Sequence, residues 1–182
     1  MLTSLTTPQQ RMDRLESWRL RMVMPHVRGR VLDIGCGYNN LLRAYTGWGV
    51  GVDVYPWPGT DVHISNAAQL PFPADAFNTV TILAALNHIP NRRQALHDIH
   101  RVLRPDGQLI LTMIGPLTGI VAHILFRHDE DVRGGFTPGE LKGMRPVLVR
   151  SLLQATGYRL EREIPFQWGL NRVYIAQPHK GE

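Results

Sequence analysis

The sequence contains very little cysteine: Cys36 is the only one among 182 residues, so no disulfide can form within the chain. Residues 1–10 lack the apolar core of a secretory signal, and no stretch approaches the roughly 18 apolar residues that a membrane span needs. These absences argue against a disulfide-stabilised secreted scaffold and against an integral membrane protein. A reducing cytoplasm is the expected setting.

Lysine is almost absent as well. Lys142 and Lys180 are the only lysines among 20 basic residues, in a chain of net charge +5 and pI near 9.9. Residues 1–30 carry six arginines against two acids and form a basic segment. Arginine-rich composition can reflect the genome, and charge alone indicates partners only weakly. Nucleic acid is therefore an alternative partner, but not the favoured one.

The length of 182 residues suits one globular domain. We predict three parts within it: an N-terminal helical segment over 1–29, a cofactor-binding core over 30–114, and an acceptor-side insert with closing strands over 115–182. The sequence leaves the oligomeric state open.

Short apolar runs alternate with helical periodicity through the first two thirds of the chain. Helices are predicted from Pro8 to Pro25, over Asn39–Tyr45 and over Asn91–Leu103, and strands over Arg30–Ile34, Gly49–Val54, Val62–Ile64, Thr79–Leu83 and Gln108–Ile114. Strands without polar alternation that are separated by helices are typical of a mostly parallel sheet. We therefore expect an α/β fold, a doubly wound central sheet with helices on both faces.

The pattern changes after residue 114. Leu117–Phe126 is an apolar segment, and Thr137–Glu140 matches a capping box that predicts a helix or helix pair running to Thr156. Pro146 is expected to kink or split that helix. Two closing strands are predicted over Tyr158–Ile164 and Asn171–Gln177.

A glycine-rich turn follows the first predicted strand and opens a helix, in the run Val31–Asn40. Gly35 and Gly37 let the backbone bend and let a ligand approach closely. The unpaired N–H groups of the next helix suit a carboxylate or a phosphate. Such a loop can serve a dinucleotide or another nucleoside ligand.

Three residues decide between these ligands. A dinucleotide site needs glycine or alanine where this chain has Asn40. Asp33, just before the turn, fits the ammonium group of an amino-acid-like ligand. Asp53, at the end of the second strand, can accept both hydroxyls of a ribose. A nucleoside joined to an amino acid without a pyrophosphate describes S-adenosylmethionine.

Residues from Val31 to about Met113 resemble the class I S-adenosylmethionine-dependent methyltransferase family. Asn66–Pro73 resembles its adenine-side loop, Ala76–Val80 the entry to its fourth strand, and Leu103–Leu109 the turn before its fifth strand. The resemblance implies a Rossmann-like fold and S-adenosylmethionine as cofactor. The implied cofactor-binding residues are Asp33, Gly35, Cys36, Gly37, Asp53, Val54, Asn66, Ala67 and Ala84.

Three asparagines depart from the family pattern. Asn39 stands at a usual glycine, but asparagine tolerates a left-handed backbone better than most residues. Asn66 replaces an aspartate that meets the adenine amino group, and its amide oxygen can still accept that bond. Asn78 replaces an aspartate of structural type.

The acceptor side offers weaker candidates. His88 follows the fourth strand and is a candidate for proton transfer, or a loop-shaping residue beside the cofactor. Asn87 has the same position, and His123 and His128 flank an apolar segment that could line an acceptor pocket. No metal is predicted, because the adjacent acids 129–131 rarely converge on one ion.

Three aromatic residues and Cys36 could also contribute to a site, but packing explains each of them more simply. Trp168, Phe166 and Trp48 could stack on an aromatic acceptor, although core or edge packing is the favoured reading. Cys36 is expected to be a small filler between glycines rather than a nucleophile.

The predicted function is transfer of a methyl group from S-adenosylmethionine to an unidentified small-molecule or lipid- or glycan-linked acceptor. The apolar segment Leu117–Phe126 hints at an acceptor with a lipophilic portion. Alternatives are a non-catalytic S-adenosylmethionine-binding subunit of a partner enzyme, and an RNA or DNA methyltransferase. A nicotinamide dehydrogenase is disfavoured by Asn40.

Overall fold

A seven-stranded sheet in the order β3-β2-β1-β4-β5-β7-β6 forms the centre of the protein. The computed structural model describes the backbone of residues 8–116, 118 and 138–179, and the side chains from residue 15 onward. The described strands are β1 (Val31–Ile34), β2 (Gly49–Asp53), β3 (Val62–His63), β4 (Phe77–Leu83), β5 (Leu103–Ile114), β6 (Tyr158–Phe166) and β7 (Asn171–Pro178). The described helices are α1 (Pro8–Val23), α2 (Asn40–Ala44), α3 (Arg92–Val102) and α4 (Pro146–Ala155), with 3-10 turns over Met24–His26 and Leu86–His88.

Strands β1 to β5 run parallel, and the β6–β7 hairpin adds two antiparallel strands at the β5 side. The carboxyl ends of the parallel strands therefore share one edge of the sheet, which we call the carboxyl edge. Ligands of open α/β sheets bind at this edge. The doubly wound, mostly parallel sheet predicted from the sequence is confirmed.

Buried side chains divide between the two faces of the sheet. In β5, Leu109 and Leu111 join a cluster with Leu96 of α3 and Leu153 of α4. Ile110, between them in the chain, joins a second cluster with Val23 and Leu41 of α1 and α2. Successive residues of a strand point to opposite faces, so this division puts helices on both sides of the sheet.

The capping-box prediction was wrong. Pro138 and Gly139 form a turn, residues 140–145 are not helical, and α4 begins at Pro146. Proline is favoured at the first helical position, where its missing N–H costs no hydrogen bond, so Pro146 starts the helix instead of kinking it. Glu140 points to another partner, described below.

Two boundaries in the core also differ from the prediction. Strand β4 begins at Phe77, two residues earlier than expected, and β5 begins at Leu103 directly after α3. Phe77 pairs with Leu103 and Thr79 with Gln108, so the predicted Pro105–Gly107 turn is a bulge within the strand. The apolar segment Leu117–Phe126 lies outside the described residues except for Thr118. None of the helices in the described ranges has the length and apolar character of a bilayer span.

Candidate cofactor site

The glycine turn between β1 and α2 has three left-handed residues. Gly35, Gly37 and Asn39 have φ values of 69°, 52° and 62°, so Asn39 takes the conformation expected of it. A Cβ on Gly35 would lie 2.5 Å from the Cβ of Ala85, which explains the need for glycine there. A Cβ on Gly37 would meet no atom within 4 Å. The backbone at Gly37 thus faces open space that a ligand can enter.

Asp53 reaches this turn from the end of β2. Its Oδ2 accepts a hydrogen bond from the Gly37 N–H at 3.0 Å, and its Oδ1 accepts one from the Tyr55 N–H at 2.9 Å. Each carboxylate oxygen has a second lone pair, so both can accept further bonds. Asp53, which the sequence predicts to bind a ribose, therefore contacts the glycine turn directly.

Asp33 lies beneath the turn and is buried, with 4% of its surface exposed. The Thr81 hydroxyl donates to its Oδ1 at 2.6 Å. Burial raises the pKa of Asp33 to about 7; Thr81 opposes that rise, and the nearby charges of Asp53 and Glu16 add to it. A nearby cation stabilises the ionised form of a buried carboxyl group whose pKa is raised in this way.

Asn39 is held by a contact that sequence reasoning missed. Its Nδ2 donates to the Gly59 carbonyl at 2.9 Å and to Asp61 Oδ2 at 3.0 Å. The same Asp61 oxygen accepts the Gly51 N–H at 2.7 Å. Asp61 therefore ties the turn to β2. It sits in an irregular loop 22 residues beyond Asn39, where no local pattern reveals its partner.

The predicted adenine-side residues lie in the two loops that follow β2 and β3. Val54 is 56% exposed, which leaves an apolar surface available to a flat ring. Asn66 Oδ1 accepts the Ala68 N–H at 2.9 Å, so this oxygen already closes a local turn and has one lone pair left for a ligand. The side chain of Ala67 is buried.

Ala84 and Cys36 also lie at the carboxyl edge, directly after β4 and in the glycine turn after β1. Ala84 has a φ of 54° and donates its N–H to Thr112 Oγ1 at 3.0 Å. Burial raises the pKa of the Cys36 thiol to about 12, with nearby Asp33 adding to the effect. A thiol with so high a pKa is a poor nucleophile, which agrees with a filling role.

His88 belongs to a network that joins the turn after β4 to residues 139–141. Its Nδ1 lies 2.8 Å from Oε2 of Glu140, whose side chain is 7% exposed, and its Nε2 lies 3.0 Å from Asn87 Nδ2. The Asn87 amide also donates to the Leu141 carbonyl at 3.1 Å, which fixes its orientation. His88 Nε2 must therefore accept from Asn87 while Nδ1–H donates to Glu140.

The network gives a spectroscopic prediction. Glu140→Ala removes the acceptor for Nδ1–H, so we expect the imidazole nitrogen resonances of His88 to move toward those of a mixture of tautomers. Glu140→Gln keeps an acceptor oxygen and is expected to keep the wild-type tautomer. Nitrogen-15 spectra of histidine-labelled protein, assigned with His88→Gln, measure this.

The control is Glu161→Ala, which removes an acid paired with Arg159 on the exposed surface. Unchanged His88 resonances in Glu140→Ala would show that the carboxylate does not set the tautomer.

The remaining candidates are dispersed. His123 and His128 lie outside the described residues. Phe166 is buried in the core, and Trp48 stacks on Phe77 near the amino ends of the strands. Trp168, in contrast, is 85% exposed, so of the predicted core or edge packing only packing at an edge, against Trp18, is compatible with its position. Among the described residues, His, Cys, Asp and Glu form no group of three that could hold a metal ion.

Comparison with known proteins agrees with the geometry. A family model described as a methyltransferase domain matches residues 9–163. The demethylmenaquinone methyltransferase of Thermus thermophilus is 26% identical, with 87% of this chain and 88% of that protein covered. That of Lysinibacillus sphaericus is 40% identical over 57 residues, which are 31% of this chain and 24% of that protein. The chain thus matches only about a quarter of the second relative's length.

Solved structures show the same fold. A putative methyltransferase of Haloferax volcanii, solved with the methyltransferase activator Trm112, superposes with a TM-score of 0.73 at 16% identity, with 94% of this chain and 95% of that chain covered. A SAM-dependent methyltransferase of Aquifex aeolicus gives a TM-score of 0.66 at 15% identity, with coverage of 96% and 100%. With a family model over most of its length and this fold, the chain belongs to the class I S-adenosylmethionine-dependent methyltransferase family.

Proposed function

We propose that this protein transfers a methyl group from S-adenosylmethionine to a small-molecule acceptor with a lipophilic portion. The observation that carries the proposal is the contact of Asp53 with the glycine turn: Gly37 N–H to Asp53 Oδ2 at 3.0 Å, above the buried Asp33. A nucleoside linked to an amino acid has the two polar ends that this pair of acids suits.

The residues present fit that cofactor. Asp53 would accept the ribose hydroxyls, Asp33 would meet the ammonium group, and Val54 would cover one face of the adenine. Gly37 leaves room for the ligand, since a side chain there would occupy the open space described above. When bound, S-adenosylmethionine supplies an electrophilic methyl group on its sulfonium, and the protein has to orient the acceptor and exclude water.

The acceptor side would be formed by Asn87 and His88 together with the segment that carries His123 and His128. Direct proton transfer by His88 stays a prediction, and its hydrogen bonds to Asn87 and Glu140 favour a role in shaping this side. Relatives named demethylmenaquinone methyltransferases support a quinone-type acceptor. The apolar segment after β5 supports the same class.

The experiment is methyl transfer from labelled S-adenosylmethionine, with purified protein, to demethylmenaquinone and to lipid and aqueous extracts of the source cells. We expect label in an organic-soluble product, and far less label with Asp53→Ala at a cofactor concentration that does not saturate this variant. If a protein that binds S-adenosylmethionine labels nothing unless cell lysate is added, the non-catalytic subunit is the correct reading. Label confined to nucleic acid would also contradict the proposal.

A further inference from the structure

The tip of the β6–β7 hairpin, residues 167–170, exposes two large apolar side chains. Trp168 is 85% exposed and Leu170 is 50% exposed. Three consecutive residues of the tip, Gln167, Trp168 and Gly169, have φ values of 51°, 57° and 80°. Two left-handed non-glycine residues in succession are uncommon, so the conformation that presents Trp168 to solvent is a specific one.

The tip is anchored from below. The Gln167 side chain is buried; its Nε2 donates to the Leu15 carbonyl of α1 at 3.1 Å, and its Oε1 accepts from Asn171 Nδ2 at 3.3 Å. Trp18 of α1 meets Trp168 edge-on, with ring centroids 5.3 Å apart. Trp168 is thus held outward by its neighbours rather than exposed for lack of them.

The tip lies at the carboxyl edge of the sheet. Asn171 at the start of β7 pairs with Ile114 at the end of β5, and the Gly115 N–H donates to the Leu170 carbonyl at 3.4 Å. The cofactor site of the preceding sections occupies the same edge. A surface that contacts Trp168 and Leu170 would therefore face the rim of that site.

A basic helix face accompanies this apolar tip. At 100° per residue, positions 11, 14, 18 and 21 of α1 lie within an arc of about 80°, and they are Arg11, Arg14, Trp18 and Arg21. Arg21 is exposed, and no acid occupies these four positions. Trp18, which contacts the tip, therefore shares its helix face with the exposed Arg21 and with two further arginine positions of the sequence.

We infer that the hairpin tip and this face of α1 dock the protein on the surface of an anionic phospholipid bilayer. Tryptophan and leucine enter the interfacial layer of a bilayer, and arginine pairs with anionic headgroups. The inference rests on the proposed function, because it brings the rim of the cofactor site to a membrane in which a lipophilic acceptor dissolves. Leu170 has neither a ring to stack on a base nor a charge for a phosphate, which favours a bilayer over nucleic acid.

The test is sedimentation with vesicles of phosphatidylcholine alone or mixed with phosphatidylglycerol, in the absence of S-adenosylmethionine. We expect the wild type to bind the mixed vesicles and to bind phosphatidylcholine less well. Trp168→Ala and Leu170→Ser should each weaken binding about tenfold, the scale of one buried apolar side chain, and Arg21→Glu should weaken binding to the mixed vesicles only.

Matched controls exist at other surfaces. Leu148 of α4 is 53% exposed and Trp48 is 54% exposed, and Leu148→Ser and Trp48→Ala should bind as the wild type does. Equal melting temperatures for Leu170→Ser and Leu148→Ser show that folding is not the cause of a loss.

The inference is overturned if the wild type does not sediment with mixed vesicles, if both tip variants bind as well as their controls, or if a duplex RNA displaces the protein from vesicles at equimolar phosphate. Calorimetry with S-adenosylmethionine, without lipid, is read separately. If the wild type bound vesicles but did not bind S-adenosylmethionine, the proposed function would be contradicted and the inferred docking surface would not.

Discussion

Asp53→Ala is expected to weaken S-adenosylmethionine binding by about two orders of magnitude or more. The carboxylate accepts the Gly37 N–H and would accept two ribose hydroxyls, and hydrogen bonds to a charged group contribute about 1.5–3 kcal/mol each. Two such bonds correspond to a factor of at least about 100 in affinity. Isothermal calorimetry measures the change directly.

Two further variants make this test specific. Asp53→Asn keeps one acceptor oxygen and should fall between the wild type and Asp53→Ala. Asp106→Ala removes an exposed acid paired with Arg104, in the bulge at the start of β5, and should leave affinity unchanged. If Asp53→Ala bound within about threefold of the wild type, about 0.7 kcal/mol, the ribose role of Asp53 would be wrong.

Asp33→Asn is expected to stabilise the protein without ligand at pH 8. Burial raises the pKa of Asp33 from 3.8 to about 7, so between these values the folded protein holds a proton that the unfolded chain has released. The contribution of Asp33 to the free energy of unfolding therefore falls as pH rises from about 4 to about 7, by at most about 4 kcal/mol, and is constant above that range. Asparagine cannot ionise, so the variant should lack this fall.

Urea unfolding at pH 5 and pH 8 measures the effect. The wild type should lose more stability between the two pH values than Asp33→Asn, and the variant should bind S-adenosylmethionine at least about tenfold more weakly at pH 8, since it offers the ammonium no charge. Equal pH dependence in both proteins would mean that Asp33 is ionised in the fold at pH 5. If Asp33→Asn bound S-adenosylmethionine as tightly as the wild type does, the predicted contact between Asp33 and the ammonium group would be wrong.

Local sequence patterns sufficed for the sheet and for the glycine turn. Buried strands of Val, Ile and Leu leave few alternatives to a parallel sheet that is covered on both faces. The strand–turn–helix spacing then places Asp33 and Asp53 at the carboxyl ends of their strands. The left-handed backbone of Asn39 was also predictable, because asparagine adopts this conformation more readily than most residues other than glycine.

The errors occurred where distant contacts decide the outcome. Thr137–Glu140 has the spacing of a capping box, but the Glu140 carboxylate instead lies against His88, 52 residues earlier in the chain. Asp61 likewise has its partners, Asn39 and Gly51, on other elements. The exposure of Trp168 depends on the packing of α1 against the hairpin, which neither segment reveals alone.

The most direct measurement is a calorimetric titration of the folded wild-type protein with S-adenosylmethionine at pH 7, in two buffers of different ionisation enthalpy. We predict one saturable site per chain and net release of at most about half a proton per site, because Asp33, with a pKa of about 7, is about half protonated at this pH and ionises fully when it meets the ammonium group. A folded protein that shows no saturable heat would contradict the assignment of this pocket, and binding without proton release would contradict the role of Asp33 within it.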